Sequence, residues 1–247
     1  MALAPAIGAA VTACGPGPGS EATAADQRGI LKIAMTAGNV PFPSTPPNQG
    51  YEGYRFVGNN IYDALTRLNL DQAKTIPNPH PSLATSWTRE NDDQVWTFTL
   101  RKGVRFHDGT PFDADAVIFQ FNRLKDETFA FYDETSSANA AATLRYFKSW
   151  RKVDQYTVQI TTTQPYALLL WDLTSVFFPS PAVIKKFGNA DYNEHAVGTG
   201  PFRMTKYVDG EVMELSRNTD YWGNPPKLTK IVLYPQPEAA SRLAMLQ

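Results

Sequence analysis

Cys14 is the only cysteine in the 247-residue chain, and its three histidines, His80, His107 and His195, lie far apart in sequence. A lone thiol forms no internal disulfide and builds no cysteine-based zinc site. No H-x-x-x-H pair sets two imidazoles on one helix face. His107-Asp108 has the order of a base and its orienter, but Gly109-Thr110-Pro111 follows at once, and that composition makes a turn. Asp113 and Asp115 flank the start of an apolar-periodic run, where carboxylates cap a helix and complement its dipole. Gly198-Thr199-Gly200 is shorter than a dinucleotide fingerprint and leads into a strand pattern, not a helix. The chain has no G-x-S-x-G, no G-x-x-x-x-G-K and no H-E-x-x-H. No catalytic constellation and no cofactor follow from these residues.

What remains is a group suited to binding. Tyr51, Tyr54 and Phe56 follow a stretch rich in Pro, Asn and Gly at 36–50, with Glu52 and Arg55 among them. Aromatics in a loop beside a sheet stack on a ligand, and loop backbone hydrogen-bonds an extended peptide. Packing the loop down is the other role open to them. Trp171, Phe177 and Phe178 sit in apolar runs and read as core.

These residues need elements to position them. The alternation at 95–101 sets Trp96, Phe98 and Leu100 against Val95, Thr97, Thr99 and Arg101, a strong strand pattern with the large residues inward. Lys102-Gly103 turns the chain, and 104–106 is expected to pair as the return strand. Further strands are expected at 30–35, 66–70, 150–153, 156–162, 202–208, 211–216 and 230–234, with a turn at 78–81 and a short strand or helical turn at 83–87. Helices are expected at 54–65, after Asp113 with an apolar face of Val117, Ile118, Phe121 and Leu124, at 168–173, and at 181–187. Mixed strands and helices in this order make an α/β protein with an inserted β-rich unit.

Composition narrows the partners. Lys+Arg number 23 and Asp+Glu 24, a formal charge of -1. Phosphate-backbone binding and anionic membrane surfaces both call for a basic excess that this chain lacks. With 43% apolar and 12% aromatic residues, the bulk of the chain has enough hydrophobic surface to fold. The 19 prolines, against only 19% charged residues, fit a loop-rich extracytoplasmic protein better than a helical bundle. No apolar run is long enough to cross a membrane as a helix.

The two ends differ from the rest. Residues 2–13 form an apolar run of small residues ending at Cys14, and 15–25 continue in Gly, Pro, Ser, Glu, Ala and Thr. That order resembles a bacterial lipobox, with Cys14 lipidated and a flexible tether behind it. No Lys or Arg precedes Cys14, where a signal peptide carries its basic region. A plain Ala/Gly tail is the alternative. At the other end, 237–247 has a helical pattern with no stop residue, as expected of a chain that continues into a longer protein.

Three stretches together carry a family resemblance: PSLATSW at 81–87 with VWTFTLRKGVRFHDGTPFDADAV at 95–117, GTGPF at 198–202 with RNTDYWG at 217–223, and IYDAL at 61–65. They resemble the family 5 extracellular solute-binding proteins, the peptide/nickel type that serves ATP-binding-cassette importers. The resemblance implies a type II periplasmic-binding-protein-like α/β fold in which domain I is assembled from separated stretches. On that map 1–29 is signal, lipobox and tether. Residues 30–62 begin domain I, 63–175 form an inserted β-rich domain II, and 176–247 return to domain I. A third domain would follow Gln247 and close over the ligand. The implied function is capture of a small solute, an oligopeptide first, outside the cytoplasmic membrane, and its delivery to permease and ATPase subunits. Nickel-chelate, haem, opine and oligosaccharide remain alternative ligands, and a secreted hydrolase is a rival of another class. The resemblance places ligand contacts at Gln49, Tyr51, Glu52, Gly53 and Tyr54 and at the Thr199 turn. It implies a periplasmic or cell-surface protein that meets the membrane through a lipid on Cys14.

Overall fold

The computed structural model of the chain describes residues 29–48, 50–69 and 77–245. Cys14 and Gln49 lie outside the described residues. Two four-stranded sheets organise the molecule, each over its own hydrophobic core.

The first sheet joins the two ends of the described chain. β1 (Ile30–Met35) pairs parallel with Lys230–Pro235, in the register Ile30↔Lys230 to Met35↔Pro235. The sheet order is Ile30–Met35, Lys230–Pro235, Val212–Arg217, Phe202–Val208, and every pairing after the first is antiparallel. Met35, Met213, Leu215, Ile231 and Leu233 turn inward from it. They meet the helical segment at 50–61 and the helix Pro181–Asp191, whose buried residues are Val183 and Ile184.

The second sheet is wholly antiparallel, with strands Ala84–Glu90, Val95–Leu100, Thr157–Thr162 and Phe147–Asp154 in that spatial order. Trp96, Phe98 and Leu100 are buried on one face, as the alternation requires, with Val158 and Ile160 beside them. The helix Ala114–Lys125 covers that face. Asp113 caps it through Oδ1, which accepts from the amides of Asp115 at 3.0 Å and Ala116 at 3.4 Å. This helix serves both cores: Val117, Phe121 and Leu124 enter the second, while Phe119 enters the first.

Several local expectations are corrected. Residues 78–81 do not form a turn: Pro79–Pro81 is a short strand opposite Thr66–Leu68, in the register Arg67↔His80. A two-stranded ribbon has only edges, and an edge position tolerates a proline that has no N–H to give. Residues 104–106 are not the return strand of Val95–Leu100, whose neighbours are Ala84–Glu90 and Thr157–Thr162. Val104 and Phe106 drop into the second core instead, and an Arg105↔Pro111 bridge closes the Asp108-Gly109 turn. The helix expected at 54–65 begins at Gly50 and ends at Ile61, and its middle, Gly53–Gly58, is π-helical. Glu134–Ala140 is a helix in a region where the sequence shows no clear period; Asp133 caps it by accepting from Ser136 N at 3.0 Å.

Candidate functional site

The cleft begins where the 50–61 helix passes the ribbon of Thr66–Leu68. It is a concavity of about 660 Å³, walled by Tyr51, Tyr54, Arg55 and Asn59 from the helix and by Asp63, Thr66 and Arg67 from the chain that leaves it. Ser82, Thr174, Ser175, Phe177 and Tyr221 complete the wall from more distant parts of the sequence. Its size and its mixture of aromatic, hydroxyl and charged groups suit a small polar solute.

Tyr51 stands at the rim, 87% exposed, a large ring held out with no core to fill. Tyr54 is half-buried, with its ring centroid 5.8 Å from that of Phe177, and burial raises its phenol pKa. Glu52 has another task. Its Oε1 accepts from Thr36 N at 3.1 Å and Thr36 Oγ1 at 2.7 Å, and its Oε2 from Ala37 N at 2.7 Å. The carboxylate thereby ties the start of the 36–50 loop to the helix. Gly53 is a close-approach position: a Cβ there would come within 1.8 Å of the Asn48 carbonyl oxygen. The five-residue run expected to meet a ligand thus divides. Tyr51 and Tyr54 face the cleft, Glu52 and Gly53 fix the loop, and Gln49 is not described.

Thr199 is fully buried and is absent from the cleft wall. Its Oγ1 donates to Asp63 Oδ2 at 2.9 Å. The same oxygen accepts from Trp222 Nε1 at 2.8 Å, and Oδ1 accepts from the Tyr221 hydroxyl at 3.0 Å. Burial pushes the Asp63 carboxyl up, against these three hydrogen bonds and the nearby Arg67 charge, all of which pull it down. Both Asp63 oxygens are therefore already engaged within the protein. Burial and the Asp63 charge together raise the Tyr221 phenol pKa, which keeps it a donor.

Behind this carboxylate the turn at 198–200 presses on the end of the helix. Gly200 N donates to Ile61 O at 2.9 Å, and a Cβ at Gly198 would meet that oxygen at 2.1 Å. His107 locks the same turn from the other side: its backbone N–H reaches Gly198 O at 2.8 Å, and its Nε2 lies 2.9 Å from Gly200 O. That contact places the ring proton on Nε2. Arg101 stacks over Trp222, 4.6 Å from the ring centroid. The glycines of the turn thus serve backbone packing and His107 serves the joint; neither supports phosphate binding nor base catalysis.

Sequence reasoning passed over Asp63, Arg67, Ser82, Thr174, Ser175 and Tyr221 as cleft residues. Asp63 and Tyr221 lie inside the motifs IYDAL and RNTDYWG, so the signal that marks them is the family resemblance. The two serines and Thr174 carry no local pattern.

The family model of bacterial extracellular solute-binding proteins, family 5 (middle), matches residues 78–247, and the chain belongs to that family. The dipeptide-binding protein of Escherichia coli K12 is 27% identical over 254 residues, which span 89% of this chain and 46% of that protein. Heme-binding protein A of Haemophilus influenzae is 31% identical over 210 residues, 78% of this chain and 38% of that one. Among solved structures, the ABC transporter-associated periplasmic binding protein DppA of Helicobacter pylori, in complex with the peptide STSA, superposes with a TM-score of 0.75 at 31% identity. That match covers 88% of this chain and 44% of that one. The fold is that of the type II periplasmic binding proteins, and the chain spans less than half the length of these relatives.

Proposed function

We propose that the protein is the extracytoplasmic solute-binding component of an ABC importer, and that it captures oligopeptides and hands them to membrane permease and ATPase subunits. The cleft beside Tyr51 and Tyr54 carries this reading: it is large enough for a short peptide and offers aromatic faces, hydroxyls and guanidinium groups around one edge of the helix. The peptide-binding relatives support the same ligand class. The mechanism is binding without reaction, with closure of a second lobe over the ligand. The domain division proposed is 30–62 and 176–247 for domain I and 63–175 for domain II. The two cores support it, since every buried residue of the second except Val176 and Phe178 lies within 63–175. Localisation is proposed as periplasmic or cell-surface, with a lipid on Cys14 as anchor.

Incubation of the complete protein with a peptide mixture, followed by mass spectrometry, tests the function. Retention of intact peptides is expected. Cleavage products would favour a hydrolase, and retention of haem in preference to peptides would favour the ligand named for the Haemophilus relative. For the anchor, labelled fatty acid should enter the wild type and not Cys14→Ser, which should be released to the soluble fraction; equal labelling would sink the lipid.

A further inference from the structure

A second concavity lies at the joint. It measures about 410 Å³ and is walled by the turn at 103–109 and by Arg203, Asn218, Asp220 and Trp222. Its wall and that of the cleft have no described residue in common: Tyr221 lines the cleft, and its neighbour Trp222 lines the second concavity.

Four ionised side chains stand in this wall, Arg105, Arg203, Asp108 and Asp220. Two of them are spent. Asp108 accepts from the Thr110 amide and hydroxyl through Oδ1 and from the Ser180 hydroxyl through Oδ2. Arg203 donates from all three nitrogens, to Asn218 Oδ1, His107 O and Asp220 Oδ2. The other two have capacity left. Asp220 is 82% exposed in its side chain, and its Oδ1 has no partner among the described residues. Arg105 gives only Nη1, to Gly109 O at 2.8 Å, and meets no carboxylate among the described residues. A third group is also unspent. With the ring proton of His107 on Nε2, facing Gly200 O, its Nδ1 is a bare acceptor, shut off from water and without a donor among the described residues.

These three groups discriminate between ligand classes. A simple anion on Arg105 shares the concavity with Asp220, and a simple cation on Asp220 shares it with Arg105, so like charge opposes either one alone. A small solute that carries both charges pairs with both residues. The Trp222 ring adds an apolar wall beside them.

We propose that this second concavity binds a small zwitterion of the α-amino-acid class, with its carboxylate on Arg105 and its ammonium between Asp220 Oδ1 and His107 Nδ1. The guanidinium fork suits the carboxylate, and the ammonium supplies the donor that Nδ1 lacks. The site is independent of the peptide-binding reading, since none of its groups faces the cleft.

The test is equilibrium dialysis of the complete protein against three pools, quantified by mass spectrometry: the common amino acids, their N-acetyl derivatives and their amides. The unmodified pool should be retained at least about tenfold more strongly than either derivative, because each derivative lacks one charge-assisted contact. An excess of a tripeptide library should leave that retention unchanged. Arg105→Gln and Asp220→Asn should each lower it, and the double variant should abolish it while keeping the wild-type melting temperature. Equal retention of the three pools, retention of none, or retention that survives in the double variant overturns the proposal. Displacement by the tripeptides places the amino acids in the cleft and overturns it as well, while leaving the peptide-binding reading intact.

Discussion

The indole N–H of Trp222 meets Asp63 Oδ2 at 2.8 Å, across 159 positions of sequence. This contact, with those from Thr199 and Tyr221, brings two of the family motifs onto one carboxylate. The third motif arrives through Arg101, stacked over the Trp222 ring. The motifs are therefore one joint between the two cores, and the cleft opens on the side of it that Asp63 and Tyr221 share.

Asp63→Ala should strand three donors, each of which costs about 1–3 kcal/mol when left buried and unpaired. A loss of roughly 3 kcal/mol or more is expected in urea denaturation. Asp63→Asn keeps one acceptor oxygen and should lose less. A fully stable Asp63→Ala protein would show that these donors find water or new partners, and that the joint is not held here.

His107 gives a pH dependence of fixed sign. Burial chiefly, with the Arg203 charge adding to it, lowers its pKa from the ordinary 6.5 to about 4, against the Gly200 contact and Asp108, which raise it. In the unfolded chain the ring protonates near 6.5, so between pH 6.5 and 4 the unfolded state binds more protons. Stability is full above pH 6.5 and is lost as pH falls through this window, on the order of 3 kcal/mol by its lower end. Thermal melts from pH 7 to pH 4 should show a steeper fall for the wild type than for His107→Gln. Parallel profiles would refute the assignment.

Trp96 was readable from sequence alone. It is 1% exposed, stacks on Phe98 with centroids 6.3 Å apart, and gives its Nε1–H to Asp93 O at 2.8 Å. Trp96→Ala should cost roughly 3–5 kcal/mol in denaturant titration. Unchanged stability would show that the second core holds together without the indole.

Much of the fold is legible for the reason that Trp96 is. Strands 95–100, 157–162, 202–208 and 212–217 alternate because one face is buried, and Asp113 marks a helix start because its side chain can reach two orphan amides. The expectation failed where long-range pairing overrode local composition. Pro79 and Pro81 look like a turn until Thr66–Leu68 lies beside them, and Val104 and Phe106 look like a return strand until Thr157–Thr162 takes that edge. The site followed the same rule. Tyr51 and Tyr54 were visible as aromatics after a loop, but the roles of Glu52 and Thr199 as holders of Thr36 and Asp63 depend on partners that no local pattern specifies.

Arg123 is the other joint that local pattern does not disclose. It lies on the buried face of its helix, and its side chain is 1% exposed. It forms an ion pair with Asp133, gives Nε–H to Asn189 Oδ1 at 2.8 Å, and reaches Thr45 O with Nη1 at 3.1 Å. One guanidinium thus ties the 36–50 loop, the cap of the Glu134–Ala140 helix and the Pro181–Asp191 helix together. Removing one partner of a buried pair leaves the other charge uncompensated, so Arg123→Ala should cost about 3–5 kcal/mol. Arg123→Lys keeps the charge but gathers its donors on one nitrogen, which cannot reach the partners that Nε, Nη1 and Nη2 meet separately. It should recover only a minor part of that loss. Urea titrations of wild type, Arg123→Ala and Arg123→Lys at pH 7 decide the matter. If lysine restores wild-type stability, charge alone holds the joint and the directional argument fails; if alanine is as stable as wild type, the three segments are held together by packing without it.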